Sequence, residues 1–213
     1  MQLVKFIADR LPRWRDHPER PPVLSERELT AQLSAYLNSE ARRSLDVVQF
    51  TTEVPDSTQR ARIIDVAVQP SGTPIFVEGR SYTLFEILLP IECKRLPTPG
   101  EYGRDEREYV MVRGGGTTGG IQRFKLGAHG AAHRLAVMIG YIQDGDAEQW
   151  LCRINQWIAD ASESDPFWSD EQLAAFDLEA SEVHCFRSTH KRDVRCGERI
   201  ELRHLWIALG VHR

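Results

Sequence analysis

Apolar residues along this chain change their spacing several times, and each change marks a predicted element. In SERELTAQLSAYLNSEARR, Leu29, Leu33, Tyr36 and Leu37 recur at helical intervals, with Ser25 placed as an N-cap and Glu28 as the acid of a capping box. An amphipathic helix is predicted there. Upstream, LVKFIADRL predicts a short helix stopped by Pro12, joined to the next by the Pro-rich stretch PERPPVL. Downstream, three strand-like runs occupy residues 45–54, 62–68 and 83–96, separated by turn signals around Gly72 and Gly79. They predict an antiparallel meander. Residues 70–82 leave room for an extended loop or an additional strand pair, and Pro90 predicts a bend or an edge in the third run.

The second half has its own punctuation. Residues 97–120 read as a loop by their Pro and Gly content, GGIQRFKLGAHGAAHRL reads as a helix, and LAVMIGYI (135–142) as a buried strand. An acidic amphipathic helix over 146–160, carrying Trp150, Ile154, Trp157 and Ile158, and a second near 169–178 predict one helical insertion. VHCFRSTH and RIELRHLWIAL predict a closing hairpin around Arg195-Cys196-Gly197. The fold class expected is α/β, a single domain: an N-terminal helix and connector (1–24), a catalytic core (25–142), an acidic insertion (143–180) and C-terminal strands (181–213).

Composition narrows the function classes. A hydrophobic share of 41% and a charged share of 27% exclude disordered and fibrous classes. No apolar stretch approaches the roughly 18–20 residues that span a bilayer, and the first residues are too charged for a secretory signal, so a cytoplasmic protein with no membrane partner is expected. Cys93, Cys152, Cys185 and Cys196 show neither a CxxC pair nor zinc-ligand spacing, which predicts reduced thiols and no structural zinc. Net charge is −4, yet residues 144–182 hold eleven acids against Arg153, a net of −10, which leaves +6 on the remainder. A basic face, and with it a nucleic-acid partner, stays open.

Candidate chemistry gathers at IECKRL. Glu92 and Lys94 are two apart in a strand, so their side chains share a face while Cys93 takes the other. Asp65 sits among Ile63, Ile64, Val66 and Val68, where an unpaired charge is costly. Beside Glu92 and Lys94 on an antiparallel neighbour, it completes a hard-cation site suited to Mg²⁺, in which the lysine orients or deprotonates a water. The glycine-rich GGGTTGG lacks GxxxxGK[ST], so no nucleotide cradle is expected; the helix after it offers Gln122, Arg123 and Lys125 to a nucleic-acid backbone. Ser188, His190 and Arg192 alternate on one strand face, where His190 and Arg192 would meet a phosphate; the absence of GxSxG argues against a serine hydrolase.

A helix with Glu28, a strand with Asp65, a strand ending Glu92-Cys93-Lys94 and a helix with Gln122 together resemble the PD-(D/E)XK nuclease superfamily, the restriction-endonuclease-like fold, over residues 25 to 142. The resemblance implies Mg²⁺-dependent hydrolysis of a phosphodiester, with Mn²⁺ as a substitute, Asp65 and Glu92 as metal ligands and Lys94 as the catalytic lysine. It implies accessory roles for Gln122 and for an acid of the first helix. Glu28 is taken for that acid, with Glu26 the alternative and a capping role the competing account of Glu28. DNA as substrate, a part in bacterial defence against foreign DNA, and a homodimer or partner protein of a defence system follow from the resemblance alone. The competing expectation is a non-catalytic nucleic-acid-binding or scaffolding subunit of the same fold.

Overall fold

The computed structural model describes residues 2–57, 61–98, 105–112, 116, 118–169, 171–180, 182–192 and 197–210. Two helices come first, α1 (Gln2–Arg15) and α2 (Glu26–Ser44). Five strands follow: β1 (Val48–Pro55), β2 (Ile63–Pro70), β3 (Ile75–Val77), β4 (Arg80–Tyr82) and β5 (Leu89–Leu96). A 3₁₀ turn (Glu106–Tyr109), α3 (Gly120–Lys125), β6 (Leu135–Ile142) and α4 (Ala147–Ser164) lead to β7 (Ala174–Ala175), β8 (His184–Lys191) and β9 (Arg199–Ala208).

Seven strands form one mixed sheet in the order β1-β2-β5-β6-β9-β8-β7. β1, β2 and β5 make the predicted antiparallel meander, whereas β5, β6 and β9 run parallel and β9, β8 and β7 antiparallel. Side-chain alternation divides the core between the two faces. Val137, Ile139 and Tyr141 of β6 join Leu29, Leu33 and Leu37 of α2 on one side. Ala136, Met138 and Ile142 join Trp150, Ile154 and Ile158 of α4 on the other. The result is an α/β domain with a mixed sheet flanked by helices, and among the described residues no helix is long and apolar enough to cross a membrane.

Several expectations need correction. α1 does not stop at Pro12 but runs through it, because Leu11 and Trp14 on either side are buried in the core and Trp14 packs on Tyr141 with ring centroids 5.7 Å apart. The run at 83–96 is a strand only from Leu89, and Pro90 lies near its start, where a missing N–H is tolerated. The gap before it is filled by a separate β3–β4 hairpin, the strand-pair alternative. α3 is far shorter than predicted: Gly127 and Gly130 take positive φ (65° and 59°), and Ala128 and His129 turn their N–H groups back onto the Arg123 carbonyl. No helix forms among the described residues of 169–178. Leu173, just ahead of β7, is instead held by Asn155, which accepts from its N–H at 2.8 Å and donates to its carbonyl at 3.1 Å. Cys93, Cys152 and Cys185 are free thiols, while Cys196 and the turn around it lie outside the described residues.

Candidate active site

β5 presents Glu92 and Lys94 together, with Cys93 turned into the apolar layer beneath α2. Lys94 Nζ lies 3.0 Å from Glu92 Oε1 and both residues are buried. β2 pairs with β5 through Val66 opposite Ile91, so the next step along the register carries Asp65 to the level of Glu92. There the Cys93 N–H donates to Asp65 Oδ2 at 2.8 Å.

Two further elements close on this pair. Glu26, in the first turn of α2, accepts from Lys94 Nζ at 3.3 Å and from the Arg95 N–H at 3.1 Å. From the other side, Arg123 of α3 donates through Nη1 to Glu92 Oε1 at 2.5 Å, and His129 donates through Nδ1 to Oε2 at 3.1 Å. Glu26, Thr30, Thr52 and Asp65 line a cleft of about 320 Å³, with an Arg27–Glu53 ion pair of 3.0 Å among its lining residues. Glu53 holds a left-handed φ of 53°, a backbone strain for a residue with a side chain.

The carboxyl groups are driven apart electrostatically. Burial first, and then the neighbouring Glu92 carboxylate, push Asp65 up to about 7 against the relief given by Lys94 and the Cys93 N–H. For Glu92, burial acts upward as well, but Lys94, His129 and Arg123 outweigh it and hold the carboxyl well below the usual range. Burial likewise opposes the charge on Lys94, and Glu92, Glu26 and Asp65 overcome it, so the ammonium keeps its proton far above the ordinary lysine range.

Oxygen donors in excess of positive charge are what a hard divalent cation requires, and Asp65, Glu26 and Glu92 fit that requirement in kind. Their arrangement gives the Glu92 Oε1 to Lys94 and Arg123. Among the described residues no group of three or more His, Cys, Asp or Glu side chains is positioned as a metal cage.

The remaining predicted residues fall elsewhere. Glu28 is exposed and receives the Ser25 hydroxyl at 2.5 Å while Ser25 Oγ accepts its N–H, so it caps α2 and Glu26 is the helix acid at the site. Gln122 accepts weakly from the Val112 N–H at 3.4 Å and touches none of the carboxylates. Of the four residues besides Gln122 assigned to a nucleic-acid backbone, three, Lys125, His190 and Arg192, are buried. Lys125 binds Glu171 at 2.5 Å and the Lys191 carbonyl at 3.2 Å. Arg192 donates to the carbonyls of Phe124, Gly130 and His133 at 2.8, 2.8 and 2.9 Å, and to those of His129 and Ala131 at 3.3 and 3.4 Å. His190 lies in a buried polar row: Trp206 Nε1 to Tyr109 Oη (2.8 Å), Tyr109 to His204 Nδ1 (2.8 Å), His204 Nε2 to Ser188 Oγ (2.8 Å), Ser188 to His190 Nε2 (2.7 Å), and His190 Nδ1 to Glu171 (3.0 Å). Burial costs each of these groups its access to a phosphate. Arg123, the fourth, spends its guanidinium on Glu92.

His129 is the site residue that sequence reasoning missed. GAHGAAH shows no period, and the positive-φ glycines that bring the imidazole back to β5 are its only signal. Comparison with protein-family models, curated proteins and solved structures finds no match for the chain.

Proposed function

We propose that this protein is a metal-dependent nuclease with a restriction-endonuclease-like core, hydrolysing phosphodiester bonds of DNA, with bacterial defence against foreign DNA as its setting. The observation that carries the reading is the meeting of Asp65, Glu92, Lys94 and Glu26 from β2, β5 and α2, with Asp65 and Glu26 on one cleft. The order α2, β1, β2, β5, α3, β6, with β6 parallel to β5, supports the core assignment. Mg²⁺ or Mn²⁺ held by Asp65 and Glu92, with Glu26 beside them, would polarise a phosphoryl oxygen and acidify a bound water. Lys94 retains its proton, so its part is to orient the attacking oxygen and offset developing negative charge rather than to deprotonate water.

A second reading, a non-catalytic nucleic-acid-binding or scaffolding subunit, draws on one observation: Glu92 already has a cationic partner in Arg123. Cleavage of DNA and RNA in the presence of Mg²⁺ or Mn²⁺ separates the two. Activity that disappears in Asp65→Ala and in Lys94→Ala is expected for the nuclease, and undiminished activity in both variants removes the assignment.

A further inference from the structure

The three partners of Glu92 differ in where they sit. Lys94 and His129 have side chains only 3% and 2% exposed, whereas that of Arg123 is 18% exposed. Arg123 alone approaches from the solvent edge. It is also incompletely satisfied there, since its Nε is buried and makes no hydrogen bond among the described residues. Its anchor is α3, only six residues long and ended by glycines at positive φ.

The charges favour an exchange. Asp65, Glu26 and Glu92 bring three negative charges when ionised, and Lys94 and Arg123 return two with the His129 imidazole neutral, leaving −1. With Arg123 withdrawn the cluster carries −2, the complement of one divalent cation. An arginine cannot discharge by losing its proton, so it and a metal ion compete for the same carboxylate oxygen instead of sharing it.

We propose that Arg123 and a divalent cation are alternative counter-ions of the Glu92 carboxylate, so that cation binding expels the guanidinium from Oε1 while the buried Ile121, Phe124 and Lys125 keep α3 in place. The inference rests on the metal-site reading above. It adds that the site is closed by one of its own residues until a cation arrives, which makes Arg123 a positioning residue of the resting state. Because the coupling is reciprocal, whatever draws Arg123 outward also raises cation affinity.

Calorimetric titration of Mn²⁺ into the metal-free full chain tests this in the wild type, Arg123→Gln and Arg123→Lys. Arg123→Gln should bind at least about tenfold more tightly, the factor that corresponds to ~1.4 kcal/mol, and Arg123→Lys should stay near the wild type. Equal or weaker binding by Arg123→Gln, with the wild type still binding, overturns the exchange and leaves the metal site standing. No Mn²⁺ bound by any of the three, with circular dichroism showing folded protein, removes the metal site and the exchange together. Should Arg123→Gln fail to fold, Arg123→Met takes its place in the same titration, and binding no tighter than that of the wild type overturns the proposal.

Discussion

Replacing Arg192 by methionine keeps the length and most of the apolar stem while removing every guanidinium donor. The cost follows from what those donors hold. Three short contacts are charge-assisted: one to the carbonyl of Phe124 near the end of α3, and two to those of Gly130 and His133 in the segment that leads from α3 into β6. At the lower value for a hydrogen bond to a charged group, about 1.5 kcal/mol each, they amount to ~4.5 kcal/mol, and the two longer contacts to His129 and Ala131 are left out of that figure. Urea denaturation of wild type and Arg192→Met should therefore show a loss of ~4.5 kcal/mol at unchanged slope, well above the effect of an ordinary surface substitution. Hydrogen exchange should place the loosening in residues 126–133, since the carbonyls there lose their partner. Because His129 lies in that segment, its hold on Glu92 should weaken as well. A loss below about 1 kcal/mol, or exchange that rises evenly over the whole sheet, would falsify the view of Arg192 as the clamp of this segment.

Two further outcomes follow from the same structure. Asp65 titrates at about 7 in the folded chain against an ordinary 3.8, so the folded state keeps a proton that the unfolded state has released; stability present in acid is lost as pH rises through that window, by ~4 kcal/mol in total, and Asp65→Asn should abolish the slope when unfolding is followed without metal from about pH 4 to pH 8. Parallel curves for the two proteins would show that Asp65 does not hold the proton. Glu28→Ala should cost about 1 kcal/mol of thermal stability through the lost cap and leave metal-dependent cleavage intact, whereas Glu26→Gln should impair cleavage; equal effects of the two on cleavage would undo the assignment of Glu26 as the helix acid.

The sheet's first half was open to inspection in the sequence because its signals are local. Two-residue alternation placed Glu92 and Lys94 on a common face, and hydrophobic runs bounded by turns gave the meander that sets Asp65 beside them. What stayed hidden depends on partners distant in the chain. Lys125 looks like a solvated base in QRFK, yet its carboxylate partner Glu171 stands 46 residues further on. The 169–178 stretch has the composition of an acidic helix, but Asn155 ties the backbone of Leu173, and Glu171 is drawn in to His190, Lys125 and the Lys191 N–H. In both cases tertiary hydrogen bonds override local preference. Glu26 and Glu28 were ambiguous for a related reason. Both are first-turn acids, and only the neighbouring strand decides which of them faces Lys94.

The row from Trp206 to Glu171 has a direction. An indole N–H can only give and an ionised carboxylate can only receive; burial pulls His190 and His204 below their ordinary range, and Glu171 lies near 2, its partners outweighing burial. His190 must then carry its proton on Nδ1 and His204 on Nε2, with the Ser188 hydroxyl pointing to His190 and the Tyr109 hydroxyl to His204. Five hydrogen atoms are thus set in series like a line of arrows, none of which can turn round unless its neighbours do. Ser188, which borders two imidazoles and so suggests an activated nucleophile, is committed at both ends and serves as a link.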